Sequence, residues 1–234
     1  MPGFESLAVG MKRYIELEKG RSTSVDIVVP ELDERASEEP LVRLGKNHIG
    51  GHDCVVLTSG PGVCKMLVQL FFLLGQLVGR RAARITLVTG YLPLCRSDKD
   101  EGGMEFALSQ HVIHLIESAA YHQLDRIISV DLHAPQAVMA ASRPGVLTEV
   151  SLARRLLVHT LQIARRFDEP ICLLFPDDSA AKRFEWAVTK YCALNSLDLP
   201  SVHGIKRRKN SQRSKLLGLA GDLDCLKGGD GHRA

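Results

Sequence analysis

The sequence lacks the marks of a secreted, metal-stapled or membrane-spanning chain. Its six cysteines (Cys54, Cys64, Cys95, Cys172, Cys192 and Cys225) form no C-x-x-C pair and follow none of the spacings of a disulfide scaffold or zinc site. Reduced cysteines in a cytoplasmic protein are therefore expected. Neither sign of charge dominates: 30 Lys and Arg stand against 27 Asp and Glu, a formal net charge of +3, so overall charge implies no nucleic-acid or membrane partner. The basic run "KRRKNSQRSK" at 206–215 has no interleaved aromatics on which bases could stack, which ranks RNA binding low. The most apolar stretch, "MLVQLFFLLGQLVG" from Met66 to Gly79, is short and interrupted and runs on into "RRAAR", so a buried helix is expected and a membrane span is not. The first twenty residues carry charges throughout and have no apolar core, unlike a secretory leader. Neither the G-x-x-x-x-G-K-[ST] phosphate loop nor G-x-G-x-x-G is present.

What the sequence does have is a core and an alternation. Its 234 residues, 45% of them hydrophobic, suffice for one large domain or one and a half ordinary ones. "VDIVVP" (25–30), "DCVVLTS" (53–59), "RITLVTG" (84–90), "RIISVDL" (126–132) and "ICLLFPD" (171–177) read as short buried strands. Segments 62–79, 104–121, 149–167 and 179–194 have helical length and composition. Strand–helix alternation predicts an α/β fold with parallel βαβ units. In the helix at 104–121, Phe106, His111, Ile113, Leu115 and Ile116 fall near one stripe, with Glu105, Gln110 and Glu117 facing water. The "ASRPG" turn around Pro144 divides residues 1–145 from 146–234. The second part is short. After "LPSVHGI" no further strand of good length is expected, so its sheet reads as incomplete.

Four stretches sit where strands end, the place at which an open α/β sheet gathers its ligands. "TSGPG" (58–62) is either a plain turn or a loop letting backbone approach a phosphate. "GYLPLCRSDKDEGG" (90–103) places Arg96 after a strand; it is a solvated charged turn, or a site where the planar guanidinium grips phosphate with two parallel hydrogen bonds. "SVDLHAPQ" (129–136) sets Asp131 and His133 two apart, either as capping and core residues or as groups serving a divalent cation that also binds substrate phosphates. The fourth pairs "FPDDSAAKRF" (175–184) with "HGIKRRKN" (203–210): Asp177 and Asp178 at a strand end, Ser179 as a helix cap, and a basic run from Lys206 to Lys209. That run is a solvated loop, a nuclear-import-like signal, an RNA contact or a cover for polyphosphate.

In this order the four stretches resemble ribose-phosphate pyrophosphokinase, also called phosphoribosyl pyrophosphate synthetase, over roughly residues 50–210. "DRIISVDLHAPQ" (125–136) is the strongest match, to a family strand ending in Asp-Leu-His-Ala. "GYLPLCRSDKD" resembles the family's Arg-Gln-Asp stretch, "FPDDSAAKR" its Ser-Pro-Asp-x-Gly-Gly stretch, and "HGIKRRKN" the mobile loop with the catalytic lysine. The resemblance implies a type I phosphoribosyltransferase-like parallel-sheet domain followed by a truncated second one. It implies transfer of the β,γ-diphosphoryl group of ATP to ribose 5-phosphate with magnesium, in a homo-oligomer or an oligomer with full-length homologues. By the same resemblance Arg96, Ser97 and Asp98 bind ATP, with Ser97 where the family usually has glutamine. His133, Asp177 and Asp131 serve magnesium, and Lys206 and Arg208 are catalytic. The family's ribose-phosphate loop of Asp-Asp-x-x-x-Thr-Gly type is absent from the sequence, and the paired glycines are replaced by Ser179 and Ala180. These departures support a second expectation, a non-catalytic partner of active homologues.

Overall fold

Parallel strands need a crossover to return the chain, and a helix-forming segment between two β-branched runs supplies one. The computed structural model describes residues 3–20, 23–45, 48–60, 63–100, 103, 106–167, 170–208 (the side chain of Arg208 excepted) and 214–226. It divides into two compact units, Met1–Val150 and Ser151–Ala234.

The first unit opens with helix α1 (Glu5–Lys19) and a hairpin of β1 (Glu31–Glu34) and β2 (Pro40–Arg43). Then come β3 (Asp53–Thr58), α2 (Cys64–Gly79), β4 (Arg84–Thr89), α3 (Leu108–Ala119), β5 (Leu124–Val130) and β6 (Leu147–Val150). The last four strands form one sheet in the order β3-β4-β5-β6, with every neighbouring pair parallel. Along β4, Ile85, Leu87 and Thr89 alternate inward. There Ile85 and Leu87 join Leu70, Leu73, Leu74 and Leu77 of α2 and Val112, Ile113 and Ile116 of α3 in one core. Each such side chain contributes about 1.5–3 kcal/mol when fully buried. The apolar stretch from Met66 is thus a core helix, and among the described residues no helix is long and apolar enough to cross a membrane.

The second unit contains α4 (Ala153–Ala164), β7 (Leu173–Phe175), α5 (Asp178–Asn195), β8 (Ser201–Arg208) and β9 (Ser214–Gly221). Its sheet runs β7-β8-β9, with β8 parallel to β7 and antiparallel to β9. Leu157 and Leu161 of α4 pack with Ala187 of α5 and with Leu173 of β7.

Several expectations need correction. Residues 25–30 are not a strand: the Val25 N–H donates to the Glu16 carboxylate at 3.1 Å instead of to a ladder, and Pro30 has no N–H to offer. Glu149 and Val150, expected to open a helix over 149–167, instead end β6, which pairs with β5, and the compact units divide after Val150 rather than after residue 145. Glu117, expected in water, is 2% exposed; its carboxylate accepts from the Ser142 N–H at 3.1 Å and the Ser142 hydroxyl at 2.6 Å. The basic run starts on a strand rather than a loop, because β9 supplies the antiparallel partner that 206–208 needs. Cys172 and Cys225 are joined in a disulfide with Cα atoms 5.9 Å apart, where reduced thiols were expected. Met104, Glu105 and Lys209 lie outside the described residues, as do Pro61 and Gly62 of "TSGPG".

Candidate functional site

In the first unit, polar groups collect at the C-terminal ends of the strands. Thr58, Thr89 and Ser129 are register partners on β3, β4 and β5, each 2% exposed or less. They form a hydroxyl row just below the loops. The Thr89 hydroxyl donates to the Tyr91 carbonyl at 2.6 Å, while the Ser129 hydroxyl is buried without a partner among the described residues. This row was missed from the sequence, although a hydroxyl at or next to the last position of three strands ("VLT", "LVT", "ISV") was there to be read.

Beyond β5 the chain turns sharply. Asp131 takes a left-handed conformation, φ 42°, which aspartate tolerates better than most residues. Its N–H donates to the Val150 carbonyl at 3.2 Å, and the Leu132 N–H donates to the Glu149 carboxylate at 2.9 Å. Both ties run to β6, so the strand missed from the sequence is the one that holds the turn. Asp131 is half-buried and His133 is exposed.

Beyond β4, burial pushes the Tyr91 phenol up to about 12, reinforced by the neighbouring Cys95 and opposed by Arg96. Arg96 itself is exposed and Asp98 half-buried. Between them, Ser97 is bonded on every side. Its hydroxyl donates to the Phe106 carbonyl at 3.1 Å and accepts from the Leu108 N–H at 3.2 Å, and its carbonyl accepts from the Ser109 N–H at 2.9 Å.

In the second unit, Asp177 follows β7 and caps α5: its Oδ1 accepts from the Ala180 N–H at 2.9 Å. The cap expected from Ser179 comes from Asp177 instead. The other oxygen, Oδ2, accepts from Lys206 Nζ at 3.1 Å. Asp178 pairs with Lys182 at 2.8 Å, and His203 Nε2 stands 4.0 Å from the same carboxylate. The bond to Asp178 raises the Lys182 pKa above its ordinary value. Gly204 lets β8 run close against Pro176: a Cβ there would lie 2.7 Å from the Pro176 carbonyl oxygen. Arg208 is on β8, with its side chain outside the described atoms.

Among the described residues no group of three or more His, Cys, Asp or Glu is arranged to hold a metal ion. In the first unit the half-buried Asp131 carboxylate and the exposed His133 imidazole are donors of the kind that supply the few protein ligands of a magnesium ion, and in the second unit the Asp177 carboxylate is another.

No protein-family model matches the chain. Over 218 residues, 91% of this chain and 63% of the relative, it is 27% identical to a ribose-phosphate pyrophosphokinase of Corynebacterium glutamicum. The chain is similar to ribose-phosphate pyrophosphokinases. The Mycobacterium tuberculosis ribose-phosphate pyrophosphokinase is 32% identical over 128 residues, 53% of this chain and 38% of the relative. The crystal structure of phosphoribosylpyrophosphate synthetase from Mycobacterium smegmatis superposes with a TM-score of 0.62 at 24% identity, covering 83% of this chain and 60% of that one. That likeness shows the fold, a type I phosphoribosyltransferase-like α/β fold. The chain spans 63%, 38% and 60% of these three ribose-phosphate pyrophosphokinase chains.

Proposed function

We propose that the chain binds Mg·ATP and ribose 5-phosphate and transfers the diphosphoryl group from one to the other, yielding phosphoribosyl pyrophosphate and AMP for nucleotide biosynthesis. The observation that carries this reading is the placement of Arg96 after β4, Asp131 and His133 after β5 and Asp177 after β7, all at carboxyl ends of strands in a chain similar to ribose-phosphate pyrophosphokinases. The anomeric hydroxyl of the sugar attacks the β-phosphorus. The bond from that phosphorus to the oxygen bridging it to the α-phosphate breaks, AMP leaves with the electron pair, and the hydroxyl proton passes to solvent. Such transfers depend on positioning and on neutralising phosphate oxygens, so no protein nucleophile is needed.

Arg96 and Asp98 form the nucleotide-binding segment. Lys206 and Arg208 are the catalytic cations that offset charge building on the transferred group. His133 and Asp131 are the groups of the first unit that would serve magnesium, and Asp177 is a group of the second unit that would do so; the metal screens phosphate charge when bound. Lys206 leaves Asp177 for phosphate when substrate arrives, exchanging one anionic partner for another. Calorimetric titration of the chain with Mg·ATP and then ribose 5-phosphate tests the reading: saturable binding of both supports it, and no heat from Mg·ATP overturns it.

A second reading, a non-catalytic partner of full-length homologues, is favoured by the Asp177–Lys206 pair, in which two groups of the proposed machinery neutralise each other. Co-purification with an active homologue, with no product from the isolated chain, would support that reading. Product formed by the isolated chain excludes it.

A further inference from the structure

Helix α3 begins at Leu108 without a cap of its own, since Ala107 at the N-cap position has no side chain able to accept a hydrogen bond. The first N–H groups of a helix have no partner within it and must find one elsewhere. Here Ser97 supplies both: its hydroxyl accepts from the Leu108 N–H at 3.2 Å and its carbonyl from the Ser109 N–H at 2.9 Å. The same hydroxyl donates to the Phe106 carbonyl at 3.1 Å, and the Ser97 N–H donates to the Leu94 carbonyl at 3.0 Å, closing a turn in which Leu94 has φ 57°. Every hydrogen-bonding group of Ser97 faces the protein.

We infer that Ser97 is a positioning residue that fixes Arg96 for a nucleotide phosphate and does not itself touch the nucleotide; the second half of this inference rests on the function proposed above. A planar trans peptide keeps the Cα of Arg96 about 3.8 Å from that of Ser97, so pinning one pins the other. Arg96 is exposed, so its guanidinium is open to an anionic ligand while its backbone is held through Ser97. A short hydroxyl is the chemistry this role needs. It donates and accepts from one atom close to the backbone, as glutamine, with its amide two carbons further out, does not.

The test compares Ser97→Ala and Ser97→Thr in the full chain. Two quantities are measured: relaxation of the Arg96 Nε–Hε group by ¹⁵N NMR, and Mg·ATP affinity by calorimetry. Ser97→Ala should loosen Arg96 and weaken Mg·ATP binding about fivefold, the effect of losing one net hydrogen bond's worth of placement. Ser97→Thr keeps the hydroxyl and should restore both. Unchanged Arg96 relaxation in Ser97→Ala overturns the positioning role. Loss of affinity in Ser97→Thr as large as in Ser97→Ala, with Arg96 still ordered, overturns the claim that Ser97 makes no nucleotide contact. Should the wild-type chain bind no Mg·ATP, the proposed function fails, while the relaxation comparison still decides whether Ser97 positions Arg96.

Discussion

Lys206 Nζ lies 3.1 Å from Asp177 Oδ2, joining β8 to the residue that caps α5. The two side chains are 33% and 37% exposed, so solvent screens the pair. Its contribution to stability is expected to be about 0–1 kcal/mol, in the range of other surface pairs. Lys206→Ala should therefore shift the thermal midpoint by only a few degrees, as read by circular dichroism. A large drop would make the pair a structural tie and Lys206 a poor candidate for a group that moves.

Gly204 sits two residues before Lys206 with its backbone against Pro176. A methyl there would meet the Pro176 carbonyl oxygen at 2.7 Å and Leu216 Cδ1 at 2.9 Å. The leucine can swing away but the carbonyl belongs to the backbone. Gly204→Ala should cost about 1–3 kcal/mol in urea unfolding, as overpacked sites do. An unchanged midpoint would mean that β8 can move off Pro176 at no expense.

Glu117 is a buried carboxylate fastened to the N–H and hydroxyl of Ser142. Its removal leaves two donors without their acceptor and opens space inside α3's packed face. Glu117→Ala should destabilise the chain by about 2–4 kcal/mol. Ser142→Ala removes only one of the donors and should cost less. Equal and small effects in the two variants would contradict this account of the contact.

Tyr91 gives a pH signature. Burial raises its phenol from the ordinary 10.0 to about 12, so between those values the folded state holds a proton that the unfolded chain has released. Stability from this group is complete below pH 10 and declines as pH rises toward 12. Tyr91→Phe should flatten that alkaline decline in a series of denaturant melts and remove one late-ionising phenol from the ultraviolet titration. A decline of the same slope in Tyr91→Phe would assign it to another group.

How much of this was legible depended on whether local chemistry and long-range pairing agreed. Strands β3, β4 and β5 were readable because runs such as "CVVLT" and "ITLVT" are β-branched, short and bounded by turns. The position of Asp131 just after β5 followed from Ile127 and Ile128. Strand β6 was not readable, because "LTEV" runs directly into helix-forming residues and only its pairing with β5 makes it a strand. The basic run 206–208 looked like a loop because nothing local reveals that β9 will pair with it. Glu117 looked like a surface residue because its partner, Ser142, lies 25 positions away. Asp177 and Ser179 are both good helix caps by composition, and the backbone geometry at the end of β7 selects Asp177. Ser97 offered the least signal of all, since capping from eleven residues away leaves no local pattern.

The most direct test of the proposed function follows Mg·ATP and ribose 5-phosphate by ³¹P NMR with the isolated chain and its Lys206→Ala variant. The account predicts AMP and a diphosphate ester on the sugar from the wild type. In Lys206→Ala, turnover should fall at least about a hundredfold, as expected for loss of a charge that stabilises the transition state, while Mg·ATP affinity stays within about threefold. No diphosphate ester from the wild-type chain, or equal rates from the two proteins, would contradict it.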